Sequence, residues 1–300
     1  MGWQRMKLTL LAVLLAANVI LAVSVAELLR ETSRIPTDSI RDAAEILAEE
    51  NILVNTASID NRRYDLLLYS GNWNEAYYSE TAAALTQSGV VRSFTAPSGV
   101  VLTMENGDRC VFSDRFGFRY EAFGSGDTVL PDTENLSAPG SSQELRIRRV
   151  VQEFLGRISF GTTTASPVSY DVTVLGIEHG TRIAWCEMSQ YVRGTRIVNL
   201  TATAAVRDGQ LIRMEGAWCF AEPQETISAH LLDQINILYS MKNRITPGKF
   251  PVWIESLNIC YTVYFHASAD RFYLIPAWDT LFGSGTHMIV NAIDGSLYTN

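Results

Sequence analysis

From Leu8 to Ala26 the chain carries no charge and is almost wholly apolar, and beyond that point the pattern breaks into short, punctuated segments. An apolar run of about 18 or more residues can span a bilayer as one helix. Arg5 and Lys7 precede it, and Glu27, Arg30, Glu31 and Arg34 follow. Positive charge ahead of the run favours an amino terminus on the inside. The pattern therefore predicts a cytoplasmic tip and a single transmembrane anchor over 1–30, with the bulk of the chain extracytoplasmic. Ser24-Val25-Ala26 also has the small-x-small form of a signal-peptidase site, so a cleaved leader is the competing reading. The run exceeds the usual h-region of roughly 7–15 residues, which favours the anchor.

After Ile35-Pro36 a helix is predicted, with Thr37 or Asp38 as N-cap and Ile40, Ala43, Ala44 and Leu47 on one face. Asn51-Ile52 fits a left-handed C-cap. A strand over 64–69 and a helix over 74–88 follow. Short strands come next, around 90–94, 100–104, 109–112 and 117–123, with Asn106-Gly107 as a hairpin signal. Residues 124–143, rich in Gly, Pro and Ser, read as a linker. Ser141-x-x-Glu144 is a capping box opening a helix whose face is Ile147, Val150, Val151, Phe154, Leu155 and Ile158. Strands from 168 to 220 include an Asp208-Gly209 turn. A helix over 226–243, with Ile227, Leu231, Ile235 and Leu238 on one face, precedes strands from 252 to 298.

The segment Ala205–Leu211 parallels Ala292–Leu297, each after a helix and a meander, and suggests an internal duplication; two Asp-Gly turns coinciding by chance is the alternative. The expected architecture is α+β: one N-terminal transmembrane helix followed by repeated helix-plus-antiparallel-sheet units. Its parts are the anchor, an N-terminal α+β domain over 31–123, the linker over 124–143, and a C-terminal domain of helix-meander units over 144–222 and 223–300.

Composition narrows the function. The chain of 300 residues is 47% hydrophobic and 19% charged, ordinary for a folded core. A net charge of -8 argues against nucleic acid or anionic wall polymers as main ligands, which need clustered Lys and Arg. The one dense basic patch, Arg146-Arg148-Arg149, reads as a solvated helix face. Cys110, Cys186, Cys219 and Cys260 lie far apart in apolar contexts without CxxC spacing, as buried thiols or as disulfide partners. The histidines His179, His230, His266 and His287 are dispersed, and there is no phosphate loop, GxSxG or HExxH. No catalytic, cofactor-binding or metal residue is therefore assigned, and none of these chemistries is expected.

The apolar run offers the strongest candidate surface. On a helix Leu11, Leu15, Asn18, Ala22 and Ala26 form a stripe of small and polar positions suited to close contact with another helix, with Asn18 able to hydrogen-bond across it. A passive anchor that merely tolerates one Asn is the alternative. Trp3 reads as an interface anchor.

The opening Met1-Gly2-Trp3-Gln4-Arg5-Met6-Lys7, the Leu-rich run with Asn18, and the later Ile35–Leu47, Phe272–Trp278 and Ile289–Gly295 segments resemble the YycI proteins, regulators of the WalK (YycG) sensor histidine kinase in Gram-positive bacteria. Gly2 stands where that family usually has an acidic residue, and 90–220 shows no match by residue. YycH and PepSY-type proteins share some of these traits. The resemblance implies a non-enzymatic membrane regulator whose partners are the kinase and a YycH-like protein, acting through transmembrane contacts. A tethered extracytoplasmic module binding a peptide, lipid or wall fragment is the second reading.

Overall fold

The computed structural model describes residues 6–7, 14–25, 27, 33–72, 76–96, 99–113, 116–126, 128–157, 168–220, 223, 225–245, 250–266 and 271–298. Of these, 46% are strand and 26% helix. The chain divides into two compact units that interleave in sequence. One comprises 1–66, 230–258 and 280–300; the other comprises 67–229 and 259–279.

The second unit is built on a large mixed sheet. A meander of β3 (Val90–Ala96), β4 (Gly99–Met104), β5 (Arg109–Phe112) and β6 (Gly117–Glu121) continues into β11 (Gln210–Ala217) and β10 (Thr195–Arg207). Beside β10 lie β9 (Ala184–Val192), β8 (Val168–Glu178) and the short β7 (Leu136–Ser137). β10 also meets β13 (Val252–His266) in parallel at Ile197↔Tyr261, beyond which come β14 (Arg271–Phe282), β2 (Leu67–Asn72) and β12 (Glu225–Ser228). Two helices cover one face. α2 (Ala76–Thr86) buries Tyr78, Ala82 and Leu85, and α3 (Ser141–Leu155) buries Ile147, Val151, Phe154 and Leu155. Spacings of three, four and seven residues put each set on one side of its helix. Tyr78 stacks on Phe112 and Tyr120 packs against Phe154, each with ring centroids 4.7 Å apart. Alternation along the strands sends Ala204 and Cys186 into this core, while their neighbours Ala205 and Trp185 join Ile183 and Ile212 in a second cluster under Leu136.

In the first unit α1 (Thr37–Ala48) buries Ile40, Ala43 and Leu47 and packs against α4 (Gln234–Lys242). β1 (Ile52–Val54) runs parallel to the start of β13. β15 (His287–Asn291) and β16 (Leu297–Tyr298) form a closing hairpin. Buried Gln234 donates to the carbonyls of Asp60 and Arg62, each at 2.7 Å, and so pins the loop after β1 to α4.

Two parts of the expected architecture are corrected. Residues 14–25 are helical, but among the described residues no helix is long and apolar enough to cross a membrane. Nor are there separate helix-plus-sheet repeats. β6 and β11 pair edge to edge from Arg213↔Glu121 to Ala217↔Gly117, which fuses the strands after α2 with those after α3. An unpaired strand edge presents unsatisfied N–H and C=O groups, and here a neighbouring strand satisfies them. The two Asp-Gly segments are local turns rather than copies of a unit. Asp208 and Gly209 are both left-handed, with φ of 51° and 78°, whereas at Asp294-Gly295 only the glycine is, at 71°.

Smaller differences follow the same logic. Residues 225–228 are strand, not helix, because β12 pairs with β2, and the helix starts only after its N-cap Asp233. The capping box is not formed. Gly140 is the N-cap of α3 without a side-chain bond, and Glu144 pairs with Arg148 at 2.9 Å instead. Likewise Pro36, not Thr37 or Asp38, precedes α1. Within 124–143 lie a short 3-10 turn (Thr133–Asn135) and β7.

Candidate functional site

The stripe proposed from the sequence is partly in view. Leu15, Asn18 and Ala22 lie on the helical stretch 14–25, every residue of which is exposed. Spacings of three and four residues set them along one side. Trp3, Leu11 and Ala26 lie outside the described residues. Large apolar side chains surround Asn18, with Leu15 65% and Ile20 66% exposed.

The candidate reactive groups are placed differently. All four cysteines are buried, and none of them forms a disulfide. Burial pushes the thiols of Cys110 and Cys186 up to about 12, and that of Cys260 upward as well. A thiol so held stays protonated and unreactive at neutral pH. Among the described residues no group of three or more His, Cys, Asp or Glu could hold a metal ion.

The structure adds a site that sequence reasoning missed. A cleft of ≈ 620 Å³ opens beside the amino-terminal half of α3, where the turns β8–β9 and β10–β11 come together. Its floor is the margin of the core: Ile147, Ala184 and Val206 are buried there, and Val150 and Ile177 half-buried. On α3, Gln143, Arg146, Ile147 and Val150 reach it because they share one side of the helix. The rim carries Arg146, Arg182 and Asp208. Arg182 and Asp208 both occupy turn positions with left-handed backbone, at φ 59° and 51°. Among the described residues neither Arg146 nor Arg182 has a salt-bridge partner, whereas Arg148, half a turn on, is taken by Glu144.

This arrangement divides the basic patch read from the sequence. Arg148 is an intrahelical pairing residue, Arg149 faces solvent with the outer side of α3, and Arg146 turns to the cleft. Nothing local marks Arg182 or Asp208 as its companions, since they arrive from separate hairpins. Two cations, one carboxylate and an apolar floor make a binding surface.

Neither a protein-family model nor a curated protein matches the chain. Among solved structures it is similar to an uncharacterized protein from Eubacterium rectale, at 10% sequence identity and a TM-score of 0.49, over 83% of this chain and 90% of that one. A likeness at that level carries no argument about function.

Proposed function

We propose that this chain is a non-enzymatic regulator that works by protein–protein contact, docking residues 14–25 on a helix of its partner. The partners of this reading are those the family resemblance implies, a WalK-like sensor histidine kinase and a YycH-like protein. The observation that supports it is the exposed apolar helix itself, with Leu14, Leu15, Val19, Ile20, Leu21 and Val23 each more than half exposed. Contiguous apolar surface of that kind is stabilised only when something covers it. Asn18 in the midst of it supplies direction, since a buried amide costs stability unless it finds a partner and so selects one register. Docking biases a two-state kinase only as far as it favours one state over the other.

The test is a photo-reactive residue placed at position 18 of the full chain in its own cells. The expected product is an adduct with the sensor kinase or the YycH-like protein, and Asn18→Leu weakens the functional coupling while the folded units keep their stability. Adducts with lipid alone, or wild-type signalling after the whole stretch is replaced by an unrelated apolar helix, would show the reading to be wrong.

A further inference from the structure

We propose that the cleft beside α3 binds the carboxyl end of a peptide chain, its terminal carboxylate held between Arg146 and Arg182 and its last apolar side chain seated on the floor. This does not rest on the docking of residues 14–25, because the cleft belongs wholly to the unit of residues 67–229 and 259–279.

The chemistry selects the occupant. The chain carries a net charge of -8, yet this cleft presents two guanidinium groups, neither of them in a salt bridge among the described residues, beside the single carboxylate of Asp208. A guanidinium presents a planar fork of donors that matches a carboxylate, and such charge-assisted bonds are roughly twice as strong as neutral ones. The cleft is also lined by the aliphatic side chains of Ile147, Val150, Ile177 and Val206. A small inorganic anion would leave that floor in water. A neutral apolar ligand would use the floor but leave both guanidinium groups without a partner. A nucleic-acid strand needs positive charge spread over several phosphates and would meet the Asp208 carboxylate on the rim. A chain end satisfies all three parts, because the N–H groups preceding its carboxylate can donate to the Asp208 carboxylate. The volume of ≈ 620 Å³ is that of a ligand-sized site.

The full chain is titrated by calorimetry with N-acetyl-leucyl-leucine, with the same peptide as its C-terminal amide, with free leucyl-leucine and with octanoate. The acetylated acid is expected to bind, and the amide to bind at least about tenfold more weakly. Arg146→Gln and Arg182→Gln, both at exposed positions, each weaken the acid about tenfold while leaving the thermal midpoint in place. Tighter binding of free leucyl-leucine, abolished by Asp208→Asn, identifies a free peptide as the source. Equal or weaker binding identifies the tail of a protein. Equal affinity for acid and amide overturns the proposal. So does unchanged affinity in both arginine variants, tighter binding of octanoate than of the acetylated acid, or no binding of the acid at millimolar concentration.

Discussion

Asp108 follows the Asn106-Gly107 turn and is the polar hub of the meander, so replacing it with alanine tests how that turn is held. Its carboxylate accepts from Asn106 Nδ2 at 2.9 Å, from the Tyr120 hydroxyl at 3.0 Å and from the Phe123 N–H at 2.9 Å. A bond to a charged acceptor contributes about 1.5–3 kcal/mol when its donor stays dry. Only the Tyr120 hydroxyl is in that position, since Tyr120 is 6% exposed. Asn106 and Phe123 are exposed residues whose donors regain water, so each loss there is nearer 0.5–1 kcal/mol by order of magnitude. Relief of the carboxylate's own desolvation offsets about 1 kcal/mol. The net expectation for Asp108→Ala is a loss of about 3 kcal/mol, or roughly 6–12 °C in midpoint for a unit of this size. Urea unfolding at neutral pH, followed by tryptophan fluorescence and far-UV dichroism, measures it. A double-mutant cycle with Tyr120→Phe should return a coupling of about 1–2 kcal/mol. Tyr120 itself reports independently. Burial first, and the Asp108 charge second, raise its phenol above the ordinary range, so the alanine variant should ionise at lower pH. A loss under about 1 kcal/mol together with zero coupling would refute the reasoning, because the buried hydroxyl would then have had another partner all along.

Two further outcomes are expected from the titratable groups. The hydrogen bond from Arg62 holds Asp60 down to about 2, with Tyr64 adding a bond at 2.8 Å. Its contribution to stability is therefore complete above the ordinary value of 3.8 and is lost as pH falls through about 2. A carboxyl NMR titration should place the midpoint there, Arg62→Gln should move it back towards 3.8, and an unmoved midpoint would exclude the pairing. For the cysteines, burial of all four predicts no reaction with an aromatic disulfide reagent in the native state and full reaction in denaturant. Rapid native labelling of Cys110 or Cys186 would contradict their placement.

Much of the local structure was legible along the chain. The buried faces of α1 and α3 follow from apolar spacing of three and four residues, and Ile40, Ala43, Leu47, Ile147, Val151 and Phe154 are buried as that spacing requires. Asn51 takes the left-handed conformation, φ 61°, that its place after the helix called for. Asp208-Gly209 turns sharply because Asp and Gly tolerate positive φ. Each of these depends only on residues within a turn or two of one another.

What tertiary structure alone decided is whatever depends on a distant neighbour. The apolar residues of 226–231 keep a helical spacing, yet β2 captures 225–228 as a strand, since pairing with a sheet outweighs a weak local preference. Alternation along β6 and β11 tells which face each side chain occupies but not which strand lies alongside, so the fusion of the sheets could not be read from either segment. The cleft is the same case. Arg146, Arg182 and Asp208 come from one helix and two hairpin turns, and only the packing of α3 across the sheet ends brings the cations and the carboxylate to a common rim.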